Sequence, residues 1–245
     1  MNAALLRCAQ VVVWASVPVL LPQGMRVRAT TPVLPEARGM RGKAAGDSER
    51  RPLDLLVLGD STAAGVGVSH HGDGVAGHLA AALAERSGRG VAWRVVARSG
   101  ATVGGVERRH LPAAVDGPPP DVAVVLAGVN DTLRLTRLAT VRATMARILT
   151  ELRRNHPDTR VLLSGTPPLH RFPALPAPTR QVLGLRARAV DRAVSRAAGD
   201  APGAVYVPVP DLTATAGVFA ADGFHPGSGG YRAWARRLAS HCDLP

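Results

Sequence analysis

The most restrictive feature of this sequence is the alternation, from residue 53 onward, of short apolar runs with longer amphipathic segments. Such continuous runs are typical of strands that are buried on both faces of a sheet. Strands that alternate with helices predict a parallel sheet with right-handed crossovers and helices on both faces. We therefore predict an α/β fold, a three-layer α/β/α sandwich around a five-stranded parallel sheet, with strands at 53–59, 91–97, 121–128, 160–165 and 204–209.

The segments between these runs carry apolar residues at helical spacing. Val75, Leu79 and Leu83 predict one helix. Further helices are predicted after a Thr136 cap, over 180–198, and after a Ser228 cap.

Two N-terminal segments depart from this pattern. Residues 9–22 are uncharged and mostly apolar, but they are shorter than the ~20 residues of a spanning helix. A signal peptide, a membrane anchor and a packed helix all remain open, so the chain is predicted to be cytoplasmic or membrane-associated, with export as an alternative. Residues 29–52 lack apolar periodicity and are predicted to be a linker arm. The predicted division is therefore 1–52 as an N-terminal apolar segment and arm, and 53–245 as the domain.

The chain is strongly basic, with a formal net charge of +12. Arginine supplies nearly all of this charge, since Lys43 is the only lysine, and the arginines are scattered along most of the chain. A solvated basic surface is the favoured interpretation, and a surface that attracts anions such as acidic lipid headgroups is the alternative. Aromatic residues make up only 3% of the chain, which argues against a surface that stacks nucleic-acid bases. No nucleic-acid partner is predicted.

Polar motifs follow several of the predicted strands. In doubly wound sheets, ligands bind beyond the carboxyl ends of the strands. One nucleophile candidate, two oxyanion donors and an acid–base pair occur after the strands, in Gly59-Asp60-Ser61, Ser99-Gly100, Gly128-Val129-Asn130-Asp131 and Asp222-Gly223-Phe224-His225.

These motifs resemble those of the SGNH family of the GDSL esterase/lipase superfamily. That family is named for a Ser, a Gly, an Asn and a His in four sequence blocks, which Ser61, Gly100, Asn130 and His225 match in order. The resemblance covers about residues 53–240 and implies the flavodoxin-like SGNH hydrolase fold.

The resemblance also implies a role for each residue. Ser61 is the expected nucleophile, His225 its base, and Asp222 the acid that orients the histidine, in a DxxH arrangement. A serine hydroxyl needs such a base within hydrogen-bond reach, and the imidazole needs a carboxylate to fix its tautomer. The expected oxyanion hole consists of the backbone amides of Ser61 and Gly100 and the side-chain amide of Asn130.

The residues of the substrate pocket are less constrained by the sequence. Thr62 stands where the family name has leucine, and we expect it to form part of the pocket wall. The proline-rich loop 166–178 carries Leu169 and Phe172, which are predicted to contact substrate; a plain surface connection is equally compatible with this loop.

Other polar residues near these motifs receive structural assignments. Asp60 and Asp131 are predicted to fix loop geometry by hydrogen bonds to nearby backbone amides. The segment from His70 to Gly74 is predicted to form a mobile rim of the pocket.

The predicted function is hydrolysis of carboxylic esters through an acyl-enzyme, with short or medium acyl, lipid or acetylated-sugar esters as substrates. No metal or organic cofactor is required, the partner is a small-molecule or lipid ester, and the oligomeric state is undetermined. The alternatives are a non-catalytic SGNH-like binding or scaffold protein and a nucleotide- or nucleic-acid-binding α/β module, although no glycine-rich phosphate-binding motif follows the first strand. An α/β-hydrolase elbow is excluded because Ala63 occupies the position of its second glycine.

Overall fold

A six-stranded sheet lies at the centre of the computed structural model, which describes residues 22–27, 29–47, 49–211 and 217–244. Its strands are β1 (Arg41–Ala44), β2 (Leu53–Gly59), β3 (Val91–Ala97), β4 (Val122–Leu126), β5 (Arg160–Ser164) and β6 (Ala204–Val207). The strand order is β1-β3-β2-β4-β5-β6. All neighbouring strands are parallel except β1 and β3, which are antiparallel.

Helices connect the strands in the described part of the chain. They are α1 (Val75–Ser87), α2 (Val103–Arg109), α3 (Leu111–Val115), α4 (Val129–Leu133), α5 (Leu138–Asn155), α6 (Thr179–Asp200) and α7 (Ser228–Ser240). Short 3₁₀ turns occur at His71–Asp73 and Leu169–Arg171. Residues 22–27 are also helical.

Strand β2 shows how the apolar runs produce a three-layer structure. Its Leu55 and Val57 point into one core cluster, which contains residues of α1 and α7. Its Leu56 and Leu58 point into a second cluster, formed with α2, α3, α5 and α6. Because both faces of the strand are covered, its positions from Leu55 to Leu58 are all apolar, and the alternation typical of a half-exposed strand is absent there. The predicted α/β fold with helices on both faces of the sheet is confirmed.

The sheet differs from the prediction by one strand. Residues 41–44, in the predicted linker arm, form β1 at the sheet edge and pair with β3. Gly42 lies against the indole of Trp93, where a Cβ atom would come within 2.1 Å of the ring. The strand is only four residues long and its sequence RGKA has no apolar alternation. The hydrophobic pattern of the sequence therefore does not predict it. The predicted division at residue 52 stays a prediction, although part of the arm belongs to the sheet.

Two predicted helix caps are wrong. Helix α5 follows Arg137 rather than Thr136, and no side chain caps it. Helix α7 follows Gly227, and Ser228 is its first residue. The Ser228 hydroxyl instead lies 3.1 Å from Nε2 of His78 on α1, so a tertiary contact replaces the local cap.

The predicted apolar segment at 9–22 falls almost wholly outside the described residues. Among the residues that are described, no helix has both the length and the apolar character needed to span a membrane.

Candidate active site

Ser61 lies in the turn directly after β2. The strand ends at Gly59, where a Cβ atom would come within 2.0 Å of the carbonyl oxygen of Leu126 on β4. Only glycine permits this close approach of the two strand ends. The chain then turns, with the amide of Ala64 donating to the carbonyl of Asp60 at 2.9 Å. Ser61 is therefore held at the carboxyl edge of the sheet, where ligands of such folds bind.

The structure brings Ser61, His225 and Asp222 into one chain of hydrogen bonds. The Oγ atom of Ser61 lies 3.1 Å from Nε2 of His225, and Nδ1 of His225 lies 2.6 Å from Oδ2 of Asp222. An ionised carboxylate only accepts hydrogen bonds, so it fixes the proton on Nδ1 and leaves Nε2 as an acceptor for the serine hydroxyl. This is the arrangement in which an imidazole removes a proton from serine.

The carboxylate of Asp222 also shapes the loop that carries the histidine. Its Oδ1 atom accepts hydrogen bonds from the amides of Phe224 and His225, each at 2.9 Å. Asp222 is only 6% exposed, so these bonds are shielded from water. One side chain therefore orients both the imidazole ring and the backbone from which it projects.

Two of the predicted oxyanion donors, Ser61 and Gly100, lie in turns, and the third, Asn130, lies at the start of α4. Gly100 adopts a left-handed backbone with φ of +78°, and apart from its chain neighbours no atom lies within 4 Å of the position a Cβ would take. Asn130 donates one amide hydrogen to the carbonyl of Ala101 at 3.0 Å, and its NH₂ group has a second hydrogen to donate. In the described part of the chain, the backbone amides of Ser61 and Gly100 pair with no protein acceptor.

Two buried carboxyl groups support these loops, as the sequence predicted. Asp60 accepts a hydrogen bond from the amide of Thr62 at 3.0 Å. Asp131 accepts one from the amide of Val103 at 2.8 Å, which links α4 to the segment after Gly100. Burial raises the pKa of Asp60 to about 7 and also raises the pKa of Asp131.

A narrow cavity opens beside Ser61 and His225. Its volume is about 20 Å³, which is room for about one water molecule. Its walls include Thr62, Val129, Phe172, Phe219, Phe224 and Trp234. The cavity is therefore small and mainly apolar.

The phenylalanines of the wall form a packed cluster. The ring of Phe172 meets those of Phe219 and Phe224 edge to face, with centroids 5.3 and 5.2 Å apart. These are all the phenylalanines in the chain. Phe219 and Phe224 were not predicted to line the pocket, although the rarity of phenylalanine and the position of Phe224 beside His225 were available signals.

Only some of the residues that were predicted to form the pocket line the cavity beside Ser61. Thr62 and Phe172 line the cavity, whereas Leu169 is fully buried in the apolar cluster with Phe172 and does not line it. The predicted rim at His70–Gly74 also does not line it. His71 is buried, because the turn at 71–73 packs against α1.

Within the described ranges, no three His, Cys, Asp or Glu side chains are grouped as metal ligands.

Comparisons with known proteins agree with this geometry. Residues 57–233 match the model of the GDSL-like lipase/acylhydrolase family. The chain is 32% identical over 214 residues to the GDSL-like esterase Rv1075c of Mycobacterium tuberculosis, and the match covers 80% of this chain and 66% of that protein.

Solved structures share the fold. The lipase Lip_vut3 from a goat rumen metagenome superposes with a TM-score of 0.61 at 18% identity, covering 79% of this chain and all of that one. TesA superposes with a TM-score of 0.57 at 23% identity, covering 77% of this chain and 97% of that one. Since the family model spans most of the sequence, the chain belongs to the GDSL-like lipase/acylhydrolase family.

Proposed function

We propose that this protein is a serine esterase that hydrolyses carboxylic esters with a short acyl chain through an acyl-enzyme intermediate. The observation that carries the proposal is the hydrogen-bonded chain from Ser61 through His225 to Asp222. Membership of an acylhydrolase family supports the same reaction class.

The first half of the reaction forms the acyl-enzyme. Nε2 of His225 takes the proton of Ser61 as Oγ attacks the ester carbonyl. The negative charge that develops on the carbonyl oxygen is stabilised by the amides of Ser61 and Gly100 and by Asn130, and one such donor contributes about 3–4 kcal/mol. The imidazolium, stabilised by Asp222, then gives its proton to the leaving alcohol as the C–O bond breaks.

The second half regenerates the serine. His225 removes a proton from water, the resulting hydroxide equivalent attacks the acyl carbonyl, and the imidazolium returns the proton to Oγ of Ser61. The products are a carboxylic acid and the free enzyme. This chemistry uses only side chains and backbone amides of the chain.

The restriction to short acyl chains rests on the cavity beside Ser61. A volume of about 20 Å³ is room for about one water molecule, which suits a methyl group but not a long alkyl chain. The rings of Phe172, Phe219 and Phe224 support one another in the wall, so enlarging the cavity requires breaking edge-to-face contacts.

The test is hydrolysis of a series of p-nitrophenyl esters from acetate to palmitate. We expect kcat/KM to be highest for acetate or propionate and to reach background in Ser61→Ala. Ser240→Ala is the matched control, because Ser240 lies at the exposed end of α7 and, among the described residues, its hydroxyl bonds only to Arg237 and His241. A fluorophosphonate probe is expected to label the wild type and the Ser240 variant but not the Ser61 variant. Equal labelling of Ser61→Ala and wild type, or equal turnover, disproves the assignment.

A further inference from the structure

The turn that carries Gly100 is held by three segments of the chain. The amide of Arg98 donates to the carbonyl of Gly59, at 3.3 Å. Asn130 donates to the carbonyl of Ala101 at 3.0 Å. The third tether comes from the N-terminal arm, where Oε1 of Glu36 accepts a hydrogen bond from the amide of Ser99 at 2.7 Å. Of these tethers, only Glu36 lies outside the part of the chain that matches the family model, residues 57–233.

The backbone around Glu36 is fixed against the loop that carries Ser61. The amide of Ala37 donates to the carbonyl of Ala64, and the amide of Arg38 donates to the carbonyl of Ser69, each at 3.0 Å. Ala37 is buried. Because the arm is anchored on the nucleophile loop, Glu36 connects that loop to the turn before Gly100.

The charge of Glu36 indicates that its role is geometric. A carboxylate near a developing oxyanion is electrostatically unfavourable unless a cation offsets it. Nε of Arg98 lies 3.7 Å from the same Oε1 atom and reduces this cost. The bond to the Ser99 amide is short and charge-assisted, and such bonds are stronger than those between neutral groups.

We propose that Glu36 is a positioning residue for ester hydrolysis, which holds the Ser99 amide so that the next amide, that of Gly100, points at the oxyanion. This inference rests on the proposed function. It makes the N-terminal arm part of the apparatus that orients the active site, although the arm contributes no atom to the reaction.

The experiment compares Glu36→Ala, Glu36→Gln and Glu49→Ala with the wild type. Glutamine keeps an oxygen that accepts from Ser99 but loses the charge. Glu49 is an exposed glutamate of the same arm whose side chain makes no hydrogen bond or ion pair within the described ranges, which makes it the matched control. Active sites are counted from the burst of p-nitrophenol released from p-nitrophenyl acetate, so that kcat refers to competent enzyme only.

We expect Glu36→Ala to lower kcat about tenfold with KM changed by less than about twofold, because a misplaced donor weakens the transition state more than the ground state. The rate of fluorophosphonate labelling should fall by a similar factor. Glu36→Gln should retain at least about a third of kcat, because the side-chain oxygen only has to accept the hydrogen bond from the Ser99 amide and does not have to be charged. Glu49→Ala should match the wild type.

Several outcomes overturn the inference. An unchanged kcat per active site in Glu36→Ala, with fewer active sites or a lower Tm, shows that Glu36 serves folding only. Equal losses in the alanine and glutamine variants show that charge, not hydrogen-bond acceptance, matters. If the wild type turns over esters and Glu36→Ala does so equally well, this inference fails alone. If the wild type neither turns over esters nor reacts with the probe, the proposed function fails and the inference fails with it.

Discussion

Among single residues, Asp60, which directly precedes Ser61, has an ionisation that burial perturbs strongly. It is 1% exposed, its Oδ1 accepts a hydrogen bond from Thr62, and its pKa is raised to about 7, chiefly by burial and also by the charge of Asp131. An unfolded aspartate titrates near 4. Between about pH 4 and pH 7 the folded protein therefore binds a proton that the unfolded chain releases. It follows that Asp60 makes the folded state less stable as pH rises through this window.

We expect Asp60→Asn to stabilise the protein more at about pH 8 than at about pH 5, because asparagine keeps an oxygen for Thr62 and cannot ionise. The difference between the two pH values has an upper limit of about 3 kcal/mol in the free energy of unfolding, because only the interval from pH 5 to the folded pKa contributes. Urea unfolding of wild type and variant at both pH values measures it. Asp116→Asn, at an exposed position, is the control and should show no such difference. An Asp60→Asn effect that is the same at both pH values contradicts the assignment.

At the scale of elements, the buried strands were more predictable than the short elements. Strands β2 and β3 have the predicted bounds, because each is an apolar run interrupted by a single charged residue, Asp54 in β2 and Arg94 in β3. Helices α2, α3 and α4 were not predicted. They have seven, five and five residues, which is too short for a helical period to repeat. Ser228 was misassigned because its hydroxyl meets His78, a partner 150 residues away.

Helix α1 and the turn at 71–73 pack so closely that one helix position must lack a side chain. A Cβ atom on Gly77 would come within 2.3 Å of the carbonyl oxygen of Gly72, and other backbone atoms of Gly72 lie nearly as close. Backbone cannot move aside as the end of a side chain does. The same turn bonds to the N-terminal arm, through the amide of His71 and the carbonyl of Arg38.

We therefore expect two glycine-to-alanine changes in helices to have opposite effects. Gly77→Ala should lower the free energy of unfolding by roughly 1–3 kcal/mol, because the turn must separate from the helix. Gly199→Ala, at an exposed position of α6 with no atom within 4 Å of its Cβ position, should raise it by up to about 1 kcal/mol through helix propensity. Thermal unfolding of both variants shows whether each substitution raises or lowers the stability of the protein. A rise in Tm for both shows that the contact with Gly72 relaxes without cost.

At the scale of the whole molecule, the site is assembled from segments that are distant in sequence. Ser61, Asp222 and His225 were predicted from the sequence because each lies in a short motif. Glu36 and Phe219 were not predicted, because the sequence around a single side chain outside a motif does not indicate which residues it will contact in the folded protein. Leu169 is the opposite case, a residue that was predicted to contact substrate but does not line the cavity. The sequence around a leucine near the site is the same whether its side chain lines the pocket or lies behind the wall. Motif chemistry is local in sequence, whereas the shape of the pocket is a property of the tertiary structure.

This distinction leads to a prediction about substrate size. Phe172 lies in the loop after β5, while Phe219 and Phe224 precede α7, and their contact closes the cavity beside Ser61. We expect Phe172→Ala to raise the ratio of kcat/KM for hexanoate over acetate by at least about tenfold, since each added methylene that finds room contributes on the order of 1 kcal/mol.

Leu175→Ala is the matched control for this change. Leu175 is buried in the same apolar cluster but does not line the cavity. Both variants should lose stability by a few kcal/mol, roughly 2–5 for such truncations, yet only Phe172→Ala should alter the preference for chain length. Kinetics on the two p-nitrophenyl esters, measured well below each variant's Tm, separate the effects. A shift of equal size in both variants means that loosening of the cluster, and not the Phe172 ring itself, sets the size limit. If neither preference changes, the acyl group occupies a different part of the site.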